Sequence, residues 1–227
     1  AKGCAVRDSS RTGFKDAIET ARNADAVVMV MGGTSARDFS SEYEETGAAK
    51  VTINQISDME SGEGYDRATL HLMGRQLELL EEISRLGKPV VLVLIKGRPL
   101  LMEGAIQEAE AIVDAWYPGM QGGNAVADVL FGDYNPAGRL TLSVPRSVGQ
   151  LPVYYNTRRK GNRSRYVEEP GTPRYPFGYG LSYTTFSYTD MKVQVNEGRD
   201  YCRVDVTVTI QKQGNAEGDE VEQINFR

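Results

Sequence analysis

The chain has 227 residues, 40% of them hydrophobic and 25% charged, enough to bury one good core and to begin a second. Its formal net charge of -5 argues against a nucleic-acid or anionic-membrane partner, because phosphate binding needs clustered positive charge, and no stretch approaches the roughly 18 apolar residues of a membrane helix. A single histidine, His71, and two cysteines far apart, Cys4 and Cys202, exclude a multi-histidine metal centre and a zinc motif, so neither metal nor cofactor is expected.

In chain order, Phe14, Ala17, Ile18 and Ala21 have helical spacing, and Ala26 to Met31 (AVVMVM) then forms a continuous apolar run closed by Gly32-Gly33. Such a run is the mark of a strand buried on both faces. Met73, Leu77, Leu80, Ile83 and Leu86 outline one helix face with Gly87 as its C-cap, and Pro89 to Ile95 (PVVLVLI) supplies a second buried strand. A helix around Leu101 to Glu110, a strand from Ala111 to Trp116, the turn Pro118-Gly119 and a helix from Gly123 to Leu130 complete a third cycle. This βα repetition predicts a layered α/β/α sandwich with a mostly parallel sheet. Ligands of such sheets bind beyond the strand C-termini, which is where the long segment from Gly32 to Asp66 departs.

From Leu151 to Tyr183 the composition turns to Tyr, Pro, Gly and Arg and reads as an ordered linker, its basic cluster Arg158, Arg159, Lys160, Arg163 and Arg165 being a solvated loop. Phe186 to Val195 and Cys202 to Gln211 are strand-like, the second alternating Val204, Val206 and Val208 with Asp205, Thr207 and Thr209. The turn signal Gly214-Asn215 precedes a third expected strand around Glu220 to Phe226. About three strands are too few for a sandwich, so a truncated β-sandwich segment is expected here. The expected organisation is an α/β domain over 1–157, a linker over 158–185 and part of a second domain over 186–227. Cys4 and Cys202 read as unpaired thiols, and His71 as a packing or surface residue.

The segment Asp58 to Arg67 (DMESGEGYDR) gathers acids and an arginine around two glycines, and is expected to lead directly into a helix. Gly62 and Gly64 permit backbone shapes and close ligand approach that other residues obstruct. Asp66 suits a helix N-cap or first turn, and Arg67 suits a pairing with a neighbouring carboxylate. By composition alone this is an acidic loop.

Position by position, however, Glu63-Gly64-Tyr65-Asp66-Arg67 resembles the E-G-x-D-R element of family 3 glycoside hydrolases, β-glucosidases and β-xylosidases especially. Ala24 to Val28 ahead of Gly32-Gly33, Tyr117-Pro118-Gly119 followed by Gly122 to Ala125, Val129 to Leu140 (VLFGDYNPAGRL) and Phe177 to Tyr183 (FGYGLSY) are similar to that family's second domain. Gly214 to Val221 resembles a turn of the fibronectin type III-like domain that often follows.

The resemblance implies a retaining, exo-acting β-glycosidase that removes terminal non-reducing sugars from oligosaccharides, periplasmic or secreted. It implies Glu63 as general acid/base and an Asp nucleophile on a preceding barrel domain, the sugar lying in the cleft between them. Retention needs two carboxyl groups about 5 Å apart, which such a division of labour can supply. The acid must keep its proton until the glycosidic oxygen leaves, so burial or a nearby negative charge should raise the pKa of Glu63. Glu60 is a candidate for that charge, for orienting the loop, or for binding a sugar hydroxyl, and Glu60 and Glu45 are alternative positions for the acid/base. No stretch resembles the nucleophile segment, and a barrel of about 250 residues does not fit. The chain by itself is therefore expected to be inactive.

Two other classes compete. Gly32-Gly33 after a strand suggests a nucleotide-binding module, although the G-x-G-x-x-G spacing is missing. Trp116, Tyr154, Tyr155, Tyr175, Tyr179 and Tyr183 suggest a carbohydrate-binding face, against the alternative that they pack internally.

Overall fold

The computed structural model describes residues 1–35, 43–48, 58–62, 64–104, 108–156 and 166–224. Helix α1 (Phe14–Arg22) buries Phe14, Ala17 and Ala21, the stripe their spacing predicts. Strand β1 (Val27–Gly32) follows and pairs in parallel with β2 (Val90–Ile95), Met31 opposite Leu94 and Gly32 opposite Ile95. Strand β3 (Ala111–Asp114) adds to the other edge of β2, also parallel, with Leu94 opposite Asp114. The sheet order is thus β1-β2-β3, and β2 holds the centre of the core through Val90, Leu92, Val93 and Leu94.

The expectation that β1 is buried on both faces is corrected. Met29 and Met31 are buried, but Val28 and Val30 on the opposite face are 52% and 67% exposed. An apolar run by itself cannot report whether a second layer covers it.

Helix α2 (Gln76–Ser84) buries Gln76, Leu79, Leu80 and Ile83 and touches α1. It starts later than the sequence suggests. Residues 66–75 are not helical, so Asp66 does not cap a helix. Leu70 and Leu72 are both buried there, the Leu70 carbonyl accepts from the Leu101 amide, and Gly74 takes a φ of +61°. Gly87 also adopts a left-handed φ, +68°, and its amide donates to the Ser84 carbonyl, closing the helix as expected. Of the helix expected around Leu101 to Glu110, residues 105–107 lie outside the described residues.

The chain forms two compact units, one of Ala1–Gly122 with Leu142–Pro176, the other of Gly123–Thr141 with Phe177–Arg227. The first contains the parallel sheet. In the second, helix α3 (Gly122–Phe131, all but its first residue) accompanies an antiparallel hairpin of β4 (Phe186–Glu197) and β5 (Cys202–Lys212). The hairpin register shifts between Thr189 and Lys192, where Asp190 has a φ of +54°.

Asn135 and Arg139 organise this unit. The Asn135 carbonyl oxygen accepts from the Ser182 hydroxyl and the Tyr183 amide, and its Nδ2 donates to the Glu217 carbonyl. Arg139 Nη2 contacts both oxygens of Glu220, at 2.6 and 2.8 Å. That ion pair accounts for a second correction. Residues 220–224 form no strand, because Glu220 is turned to Arg139 and its carboxylate also accepts the amide of Val221, removing that donor from any ladder. Cys4 and Cys202 are free thiols, Cys202 exposed.

Candidate active site

Because β1, β2 and β3 are parallel, their C-terminal ends lie together, and each runs into residues with chemistry: Gly32-Gly33, then Lys96-Gly97-Arg98, then Trp116-Tyr117. The amide of Gly33 donates to the Ile95 carbonyl and that of Lys96 to the Trp116 carbonyl, carrying the pairing just past the strands. The acidic segment is fastened to this edge. Met59 forms a parallel bridge with Thr34, and the Glu60 amide donates to the Thr34 carbonyl at 2.9 Å.

Glu60 is the pivot. Its side chain is 1% exposed, and Oε2 accepts from Arg67 Nη1 at 2.8 Å while Arg98 Nε stands 3.6 Å away. Oε1 has no hydrogen-bond partner among the described residues. The carboxylate occupies the space that a side chain on residue 33 would need: a Cβ there would lie 2.2 to 2.4 Å from the Glu60 Cγ, Cδ and Oε1. Gly33 is therefore required by contact with Glu60.

Arg67 closes the segment on itself, with Nη1 on Glu60 and Nη2 donating to the His71 carbonyl at 2.5 Å. Arg98 reaches from the end of β2 and donates through Nη2 to the Tyr65 carbonyl at 2.8 Å. The Ser61 and Tyr117 hydroxyls are 2.6 Å apart and crowd Gly97, where an added Cβ would meet both residues. Gly62 and Gly64 have φ of +123° and +80°, the left-handed geometry for which glycine is suited. Glu63 lies outside the described residues. Glu45 and Asp66 are exposed.

Behind Glu60 sits Lys96, with no exposed surface, its Nζ 2.8 Å from Asp114 Oδ2 and 3.8 Å from the centre of the Trp116 ring. Burial pushes its pKa below the ordinary lysine value, with Asp114 and Glu60 opposing the shift. Three cations and two carboxylates thus share the edge, so Glu60 brings no net negative potential to its surroundings. Sequence reasoning singled out Glu60 and gave Arg67 a neighbouring carboxylate as partner, which the structure identifies as Glu60, but it missed Lys96, Arg98 and Asp114. For Lys96 and Asp114 the signal was a charge placed directly at the end of an otherwise apolar strand.

Residues 4–183 match the family model described as the glycosyl hydrolase family 3 C-terminal domain. The chain belongs to glycoside hydrolase family 3. It is 41% identical, over its whole length, to a β-xylosidase of Formosa agariphila, and 40% identical over 88% of its length to a periplasmic β-glucosidase of Salmonella typhimurium. It spans only 29% and 25% of those proteins. Among solved structures, a β-glucosidase from Listeria innocua in complex with isofagomine superposes with a TM-score of 0.72 at 31% identity, covering 94% of this chain and 28% of that one. The expected fold class, a helix-flanked parallel sheet followed by an antiparallel β segment, agrees with these family members.

Proposed function

We propose that this chain supplies the general acid/base, Glu63, of a retaining, exo-acting β-xylosidase or β-glucosidase whose Asp nucleophile resides on a barrel domain of the parent protein. The observation that carries the reading is the anchoring of the residues around Glu63. Glu60, Tyr65 and Arg67 are all tied down, and the tie runs to the C-terminal edge of a parallel sheet. The residues on either side of Glu63 thus have a fixed base. In the first step Glu63 protonates the departing glycosidic oxygen as the nucleophile attacks the anomeric carbon. In the second it takes a proton from the water that releases the sugar.

Glu60 acts in this reading as the orienting group rather than as a sugar ligand or a source of negative charge, since both flanking guanidinium groups neutralise it. The raised pKa that an acid needs then derives from desolvation on substrate binding and from the nucleophile's own charge. The relative named as periplasmic supports export of the parent protein, and the names of the relatives support terminal β-linked xylose or glucose as the sugar. The boundaries 1–157, 158–185 and 186–227 are proposed as family-level domains, the last beginning with the β4–β5 hairpin.

The test uses the full-length parent and this chain alone, with nitrophenyl β-xyloside and β-glucoside. The parent should cleave at least one, Glu63→Gln should lower its kcat/KM by about 10²-fold or more, and the chain alone should release no nitrophenol. Turnover by the chain alone that Glu63→Gln abolishes, or a parent indifferent to that substitution, overturns the proposal.

A further inference from the structure

Arg98 is the one described side chain that holds the acidic segment on both sides of Glu63 from outside it. Its Nη2 donates to the carbonyl of Tyr65, two residues after Glu63, while its Nε lies 3.6 Å from the carboxylate of Glu60, three residues before. Arg67 binds the same carboxylate from within the segment and donates to the His71 carbonyl, so it ties the loop to the stretch that follows it and not to the central strand. The glycines at 62 and 64 give the backbone next to Glu63 a freedom that such a loop must have removed from outside. Arg98 stands three residues past the end of β2, the central strand, next to Gly97, which lets Ser61 and Tyr117 approach closely.

We infer that Arg98 is a positioning residue for proton transfer: a guanidinium clamp that connects the central strand to both flanks of the acid/base. The inference rests on the reading of Glu63 given above. Arginine suits the task because its extended, always-charged guanidinium donates to the Tyr65 carbonyl through Nη2 while Nε, which makes no hydrogen bond of its own among the described residues, keeps a positive charge 3.6 Å from Glu60; a compact lysine ammonium reaches one of the two at a time. A clamp of this kind contributes only where the proton matters. Cleavage of a dinitrophenyl glycoside needs no acid, since the phenolate leaves unprotonated; cleavage of a phenyl glycoside does need it.

The experiment compares kcat/KM for phenyl and 2,4-dinitrophenyl glycosides in the full-length enzyme and its Arg98→Met variant, in whichever of the β-xyloside and β-glucoside series the unaltered enzyme cleaves. The phenyl value should fall about 10- to 100-fold and the dinitrophenyl value by less than about 3-fold, with Arg98→Lys in between. Azide, a nucleophile that needs no base, should restore the turnover number on the dinitrophenyl substrate. A purely structural role lowers both substrates by the same factor, because misfolded enzyme is lost to each alike, and that result overturns the inference. If Arg98→Met does not accumulate, the same ratio in Arg98→Lys decides. Glu63→Gln is measured alongside. If it leaves the ratio unchanged, or if neither series is cleaved, the acid/base reading itself falls; if it moves the ratio and the Arg98 variants do not, only the clamp does.

Discussion

Lys96 carries an ammonium group into a site without solvent contact, held by Asp114 on one side and the Trp116 ring on the other. Desolvation favours its neutral form, so its folded-state pKa lies below that of the unfolded chain, ordinarily 10.5. The sign of the linkage follows. Between those two values the unfolded chain binds more protons than the folded one, and stability rises with pH. Below the folded-state pKa both forms are charged and the desolvation penalty is present in full. Urea unfolding should therefore show stability climbing across the alkaline window that ends near 10.5, and Lys96→Met should remove that component of the climb. A variant with the same alkaline slope as the unaltered chain would show that Lys96 does not carry it.

At the level of elements, the edge of β1 that no described strand pairs is held at one end by a side chain. Gln76, the first residue of α2, accepts the Gly32 amide at 2.8 Å and donates to the Gly32 carbonyl at 2.9 Å, both on the side facing away from β2. Its amide thus does for one residue what a neighbouring strand does along a ladder. Gln76→Ala should cost about 2–3 kcal/mol, because it strands a buried donor and acceptor together, and denaturant unfolding measures it. The sequence placed α1 and the strands β1, β2 and β3 but not this bond. Leu80 and Ile83 announced a helix face through their spacing, whereas a glutamine at a helix start has no periodic signature. The same distinction runs through the site. Glu60, Gly62 and Arg67 were legible because they stand together in one stretch, while Arg98 and Lys96 join Glu60 only through strand order, which periodicity does not encode. Asp66 misled for a related reason: the buried pair Leu70 and Leu72 holds residues 66–75 out of a helix.

On the scale of the molecule the chain passes between two compact units and back, since Gly123–Thr141 belongs with Phe177–Arg227 and not with its neighbours in sequence. The Arg139–Glu220 pair joins those two stretches, with side chains only 9% and 11% exposed. Breaking such a pair leaves a carboxylate with little access to water, so Arg139→Met should destabilise the second unit by about 3 kcal/mol and speed amide hydrogen exchange in β4 and β5. Unchanged exchange there would remove the pair from the account of that unit. In the first unit, the hold of Gln76 on Gly32 limits what the edge of β1 can accept. Among the described residues no strand pairs outside Val28 and Val30, whose backbone groups point away from β2 as those of Gly32 do, and a row of such groups can receive a further strand. Its last rung is already taken, so any strand that adds there pairs alongside Val28 and Val30 and must turn away before it reaches the glycines that seat Glu60.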